Sequence, residues 1–186
     1  MAINPDAEDS EQTGGADKYA DWYERTDELW QGTLLRGTRV FEESGKFEEG
    51  KPPRVVSRRA DAIILTQSCD IDKRAQNRLL VAEIQSYRRL AEELGKPVSE
   101  KGYRKDLIAG RTIAEFLLPP AQDVLDDWSV VNFRELYTID RDRTAAADAF
   151  VGLASPYREH LGQAFARFMM RVTLPSNLSE FEHYSV

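Results

Sequence analysis

The strongest structural signal in the chain is the stretch Arg58-Arg59-Ala60-Asp61-Ala62-Ile63-Ile64-Leu65-Thr66-Gln67-Ser68-Cys69-Asp70. Its apolar part, Ala62 to Leu65, is short for a helix and rich in β-branched residues. Charged residues precede it and small polar residues follow it, which is typical of a buried strand. The stretch therefore predicts a central strand with chemically active side chains at its end.

The polar residues after this strand allow two interpretations. Thr66, Gln67, Ser68, Cys69 and Asp70 offer two hydroxyls, an amide, a thiol and a carboxylate. If the strand continued, alternate side chains would face the same way, and three of them could form a site. Alternatively, the strand runs into an Asx-type turn at Asp70, and Cys69 is a small buried hydrophobe.

Length and composition favour one domain with additions, because 186 residues with 41% hydrophobic content suffice for a substantial core. No segment approaches the roughly 18 consecutive apolar residues of a membrane span, and a signal peptide pattern is absent. A cytoplasmic protein without a membrane partner is expected. A single cysteine excludes an internal disulfide and the multi-cysteine zinc motifs.

The formal net charge of −7 is concentrated at one end of the chain. Residues 1–30 carry all of it, whereas acidic and basic residues balance in the remainder. Most basic residues beyond position 53 are arginines, whose guanidinium groups suit phosphate or carboxylate if they cluster on one face. The alternative is ordinary solvated ion pairing.

The chain is predicted to be mainly β with added helices. Apolar strands follow one another without regular helical crossovers, which favours a small, strongly bent SH3-like barrel of about five to six strands. Around it we expect a disordered acidic arm (1–17), a single domain (18–175) with a helical insertion at about 87–110, a C-terminal helix at about 156–172, and a tail (176–186).

The C-terminal helix is predicted to be amphipathic. Ser155 is a candidate N-cap, and Pro156 suits the first helical position. Apolar residues then recur at helical spacing from Tyr157 to Val172. This face packs either on the barrel or on a second subunit, so a homodimer is one of the two alternatives.

The predicted strands resemble those of the PemK/MazF-like toxin family in order and content. The residues that carry the likeness are Gln31 to Leu34, Arg59 to Thr66, Leu80 to Ser86, Phe116 to Leu118, and Val130 to Arg141. In that family a hydrophobic strand commonly runs into a Thr-Ile/Val-Asp end followed by basic residues, as at Thr138 to Arg141. The chain more closely resembles a set of bacterial proteins of no established activity that have a Thr-Gln-Ser-Cys-Asp strand end.

The resemblance, which covers roughly residues 30–155, implies an SH3-like barrel that acts as an endoribonuclease of a toxin–antitoxin system. It places the catalytic arginine at Arg59 or Arg58, and at Ser86 the hydroxyl that helps to hold the scissile phosphate. In such chemistry a base takes the proton of the RNA 2′-hydroxyl, and a cation stabilises the developing charge. We add Asp70 and Cys69 as candidate catalytic residues. Arg58, Arg78 and Arg141 are candidate nucleic-acid-binding residues.

Three hypotheses of function follow. The first is a nucleic-acid-acting barrel with RNA as partner, which a basic concave face would distinguish despite the balanced charge. The second is a non-catalytic module of the same fold that binds an antitoxin or another protein in bacterial phage defence or transcription control. Whether the chain is an enzyme is therefore open, because the insertion from Arg88 to Gly110 and the pair Cys69-Asp70 depart from the toxin pattern.

The third hypothesis is cysteine hydrolase chemistry, in which His160 or His183 would activate Cys69. A metal site built from Cys69, Asp70 and the two histidines has still less support. The sequence predicts neither a cofactor nor a bound metal.

Overall fold

The computed structural model describes residues 17–45, 49–71, 77–144 and 149–170. The strands are β1 (Tyr23–Thr26), β2 (Thr33–Ser44), β3 (Arg54–Ile64), β4 (Arg78–Ser86), β5 (Glu115–Leu118), β6 (Ser129–Asp140) and β7 (Phe150–Leu153). The α-helices are α1 (Ser68–Ile71), α2 (Tyr87–Leu94), α3 (Lys101–Ile108), α4 (Arg141–Thr144) and α5 (Tyr157–Met169), and a 3₁₀ segment (Asp17–Trp22) precedes β1.

All seven strands belong to one antiparallel sheet with the order β1-β7-β2-β3-β4-β6-β5. The register shifts between Leu35 and Thr38 in β2, and between Ala82 and Glu83 in β4. Such irregularities bend strands, and the sheet curls into a half-barrel. The predicted mainly β, strongly bent fold with added helices is confirmed, with β1 and β7 raising the number of strands to seven.

The predicted central strand lies at the middle of the sheet as β3. Ala62, Ile63 and Ile64 are fully buried, and alternate residues supply two separate clusters. Ile63 packs in the larger cluster, whereas Ala62 and Ile64 pack in the smaller one on the other face. Because both faces of the strand are buried here, its consecutive residues are all apolar and do not alternate with polar ones.

Strand β3 ends at Ile64, before the polar stretch, and helix α1 begins at Ser68. The backbone N–H of Gly32 donates to the carbonyl of Ile64 (2.8 Å), and Gln31 Nε2 donates to that of Leu65 (2.9 Å). These two donors occupy carbonyl groups that would pair with a neighbouring strand if β3 were longer. Of the two interpretations of this stretch, the continued strand with alternate polar residues on one face is therefore wrong, and the strand instead runs into a turn. Cys69 is exposed on α1, so the prediction of a buried cysteine is also wrong.

The C-terminal helix covers the larger apolar cluster. Leu161 is fully buried, and Phe165 and Phe168 pack against Phe133 with ring centroids 5.4 and 5.8 Å apart. The helix begins at Tyr157 with Pro156 as its N-cap residue, so the prediction of Ser155 as the N-cap is wrong by one position. Its apolar face packs on the sheet.

Helices α2 and α3 lie within the stretch predicted as an insertion, where α2 packs against β4 and β6 and α3 packs against β5. The predicted acidic arm, apart from Asp17, and the predicted tail lie outside the described residues. Within the described ranges, none of the helices has the length and apolar character needed to cross a membrane.

Candidate functional site

The described chain contains a groove of about 790 Å³. Four arginines line it, namely Arg36, Arg39, Arg59 and Arg78. The two carboxylates in its lining belong to Asp123 and Asp140, and Thr138 and Phe41 add a hydroxyl and an aromatic ring. We call this feature the arginine groove.

The pairing of β2 with β3 brings two of these arginines together. Arg39 and Arg59 are direct cross-strand partners, so their side chains project from the same face of the sheet. Like charges in this position destabilise a sheet. A local arrangement that opposes folding is typical of a functional site, where a ligand of opposite charge would compensate for it.

The register shift in β2 also helps to shape the groove. Gly37 adopts a positive φ of 53°, and its N–H donates to Asp61 Oδ1 (2.7 Å). The other carboxylate oxygen of Asp61 accepts from Arg36 Nη1 (2.9 Å). Arg59 Nη1 donates to the carbonyl of Gly37 (2.9 Å). The bulge therefore orients two of the four guanidinium groups.

The groove retains positive charge after these contacts. Within the described residues, Arg39 is exposed and makes neither an ion pair nor a hydrogen bond through its side chain. Arg59 bonds to a neutral carbonyl, which leaves its charge uncompensated. Asp123 and Asp140 line the groove and Asp61 pairs with Arg36, so four guanidinium groups face three carboxylates. The groove can therefore attract an anion even though the chain as a whole is acidic.

An exposed aromatic ring stands beside these arginines. Phe41 has 57% of its surface exposed, although a side chain of this size is usually covered. It lies two residues beyond Arg39 in β2, so both project from the same face. The combination offers a flat apolar surface next to positive charge.

Arg58 occupies the opposite face of β3 and has a different environment. Its guanidinium donates to Glu42 Oε1 (2.6 Å), to both carboxylate oxygens of Glu83, and to the Tyr137 hydroxyl (2.9 Å). The hydrogen bonds that Arg58 donates to Glu83, which is buried, and to Glu42 raise the pKa of Arg58 above its usual value. Hydrogen bonding from Arg58 and Tyr137 lowers the pKa of Glu42. We call these four residues the Arg58 network.

The remaining predicted site residues do not line the arginine groove. Ser86 ends β4 opposite Ser129 and immediately precedes α2. Cys69 and Asp70 lie on α1, where Cys69 Sγ is 3.9 Å from Gln67 Oε1. Arg141 donates to the carbonyl of Ile71 (3.1 Å) and to Asp142. Of the seven predicted site residues, the groove brings together Arg59 and Arg78.

The cysteine and metal hypotheses receive no geometric support from the described residues. His160 is exposed on α5, where its ring lies 6.2 Å from that of Tyr157, and no contact joins it to Cys69. His183 lies outside the described residues. The described ranges contain no group of three or more His, Cys, Asp or Glu side chains that could hold a metal ion.

Sequence reasoning missed Arg36, Arg39 and Phe41 as members of the site. The available signal was the alternation of Arg39, Val40 and Phe41, which places two unusual residues on one face. Their proximity to Arg59 depends on the register between β2 and β3.

No family model matches the chain, and no curated protein is significantly similar to it in sequence. The fold and the groove define a small, curled, antiparallel half-barrel with an arginine-lined concave surface. The assignment to the PemK/MazF-like family remains a prediction.

Proposed function

We propose that the arginine groove binds the phosphate backbone of RNA. The observation that carries this proposal is the presence of four arginines in one groove of a chain with a net charge of −7. Guanidinium groups bind phosphate oxygens through paired hydrogen bonds, and positive grooves supply most of the affinity for a nucleic-acid backbone. Arg39 and Arg59 are the primary contacts in this proposal.

Phe41 favours single-stranded RNA over a duplex. Unpaired bases stack on exposed aromatic side chains, and a charged groove beside such a ring follows the backbone. Bases inside a duplex are unavailable for this contact. The position of Phe41, two residues from Arg39 on the same face, matches this arrangement.

Cleavage of the bound RNA is a second candidate function. Asp140 lines the same groove as Arg59 and Arg78, so the groove contains both a carboxylate and cations. The carboxylate would accept the proton of the 2′-hydroxyl, which attacks the adjacent phosphorus to form a 2′,3′-cyclic phosphate. The displaced 5′-oxygen would take a proton from water and leave as a hydroxyl, while an arginine stabilises the negative charge. The PemK/MazF-like resemblance would place such an endoribonuclease in a bacterial toxin–antitoxin or defence system. RNA binding without cleavage would fit a regulatory module.

The binding proposal is tested by fluorescence anisotropy with a labelled single-stranded RNA. Arg39→Ala is expected to raise the Kd about five- to tenfold, and Phe41→Ala about five- to hundredfold because a stacked base is lost. Arg54→Ala is the matched control, since Arg54 is exposed on β3 but does not line the groove. Equal effects of Arg39→Ala and Arg54→Ala would contradict the proposal, as would a duplex that binds as tightly as the single strand.

The cleavage candidate is tested with the same RNA on denaturing gels. Asp140→Asn is expected to abolish cleavage and to keep binding, whereas Asp123→Asn is expected to keep both. Asp123 is a suitable control because it lines the groove and has a φ of 59°, a conformation that Asn also adopts. Uncut RNA with the unaltered protein would leave the regulatory module as the better account.

A further inference from the structure

A second groove lies along α3, the edge strand β5 and α5. Two adjoining cavities of about 710 and 370 Å³ form it and share four lining residues, namely Leu107, Ile108, Leu117 and Trp128. Ile108 has 75% of its surface exposed, which is unusual for a large apolar side chain. Leu117 and Trp128 beside it are half-buried, and Leu107 is buried. An exposed apolar side chain in a groove with apolar walls is a candidate site of interaction. We call it the apolar groove.

Basic residues of α3 border the smaller cavity. They are Lys101, Arg104 and Lys105, all exposed. Among the described residues, neither lysine makes an ion pair, and Arg104 donates to the neutral carbonyl of Ser99 (2.8 Å). Asp106, the acidic residue of the same helix, is paired with Arg111 (2.6 Å). The occupant that fits this groove is therefore apolar and acidic.

A segment of this chain with that chemistry follows α5 directly. The helix ends at Met169, and Arg167 Nη2 donates to the carbonyl of Gly110 (2.7 Å), which lines the apolar groove just after α3. The chain therefore leaves α5 beside the groove. Residues 171–186 contain four large apolar residues and two glutamates, namely Leu174, Leu178, Phe181, Tyr184, Glu180 and Glu182. At about 3.3 Å per residue, they can reach across the whole groove.

The N-terminal residues are a poorer match. Residues 1–16 contain four acidic residues but only Met1 and Ile3 as large apolar side chains. Their carboxylates would pair with the basic residues beside the apolar groove, but they offer too little apolar surface to cover Ile108. The pattern Glu180-Phe181-Glu182 supplies both requirements within three positions.

We propose that residues 171–186 bind in the apolar groove, with Phe181 against Ile108 and with Glu180 and Glu182 directed toward Lys101 and Lys105. The attraction combines burial of an exposed apolar surface with charge complementarity at its border. Because this surface is separate from the arginine groove, the inference does not depend on RNA binding.

Cross-linking of the full chain between introduced cysteines tests the proposal. In a Cys69→Ser background, the pair Ile108→Cys and Phe181→Cys is compared with the pair Val55→Cys and Phe181→Cys. Val55 is the matched control, since it is a 58% exposed apolar residue outside the apolar groove. Intramolecular disulfide formation is expected to be at least tenfold faster for the first pair, measured on the monomer by mass spectrometry.

Charge reversal supplies a second readout in the Ile108/Phe181 protein. Lys101→Glu with Lys105→Glu is expected to slow cross-linking severalfold, and Glu180→Lys with Glu182→Lys in the same protein is expected to restore the rate. Equal rates for the Ile108 and Val55 pairs would overturn the proposal. Disulfides formed only between chains would instead identify a second copy as the occupant. Faster cross-linking of Ile108→Cys to Glu8→Cys would identify the N-terminal segment.

Discussion

Two consecutive arginines of β3 have opposite roles. Arg58 neutralises Glu83, whose side chain is only 12% exposed, and also contacts Glu42. Arg59 faces the arginine groove and contacts a backbone carbonyl. Adjacent strand residues point to opposite faces, so one arginine belongs to the packed structure and the other to the candidate binding surface.

Substitution of these two arginines should separate stability from binding. Arg58→Ala is expected to lower the free energy of unfolding by about 1–3 kcal/mol, because it leaves the buried Glu83 carboxylate without its partner. Arg59→Ala is expected to change it by less than about 0.5 kcal/mol, as for other exposed substitutions, while weakening RNA binding. Urea unfolding followed by circular dichroism measures the difference. Equal stability losses would show that the Arg58 network does not stabilise the fold.

The Arg58 network also predicts a pH dependence of stability. Hydrogen bonding from Arg58 holds the pKa of Glu42 below its ordinary value of 4.5. A carboxyl whose pKa is lower in the folded protein stabilises it above the ordinary pKa, and this stabilisation is lost as the pH falls through the folded pKa. The free energy of unfolding should therefore decrease as the pH falls below about 4.5. In the Glu42→Gln variant this decrease should be less steep than in the unaltered protein.

Chemical unfolding between pH 3 and pH 6 measures this change. Glu43→Gln is the matched control, since Glu43 is exposed and makes no ion pair with the described residues. The assignment to Glu42 would fail if both substitutions altered the pH dependence equally.

At the level of elements, the packing of β7 against the start of β2 depends on Gly152. A Cβ atom at this position would lie 2.5 Å from Trp30 Nε1 and 3.2 Å from the Cα of Thr33. Gly152→Ala is therefore expected to destabilise the fold by about 1–3 kcal/mol through overpacking. Gly102→Ala in α3, where a Cβ meets open space, should instead stabilise it by about 0.5–1 kcal/mol. Thermal unfolding distinguishes the two, and a neutral Gly152→Ala would contradict the packing argument.

The elements differ in how far the sequence could predict them. Ala62 to Ile64 form a buried strand that the apolar run predicted directly. Strands β1 and β7 were missed because each has four residues and depends on pairing with the other. The end of β3 was misjudged for a similar reason, since Gln31 and Gly32 supply the donors that terminate it from a distant part of the sequence.

The candidate site was predictable to a smaller extent. Arg59 followed from the family resemblance, and the arginine content indicated that anion contacts were available. The gathering of Arg36, Arg39 and Arg78 around it requires the strand register and the bulge at Gly37, which depend on interactions across the sheet. The register of β3 against β2 likewise decides that Arg59, and not Arg58, lies opposite Arg39.

For the whole molecule, the uneven charge predicts salt-sensitive RNA binding. The acidic residues that give the net charge lie within residues 1–30, whereas four arginines share one groove. If all four contact phosphates, the slope of log K against log salt for a single strand should be about −3. Anisotropy titrations between 50 and 200 mM KCl measure this slope. Salt-independent binding would exclude the groove arginines as phosphate contacts.

The direct opposition of Arg39 and Arg59 in the sheet has an evolutionary consequence. Replacement of one of them by a neutral β-branched residue would remove a repulsion and improve the fit to a strand, so selection for stability alone would favour that change. Homologous proteins that keep both arginines are therefore expected to have kept the ability to bind the anionic ligand. Loss of the ligand should leave a more stable barrel that has exchanged one arginine for valine or threonine.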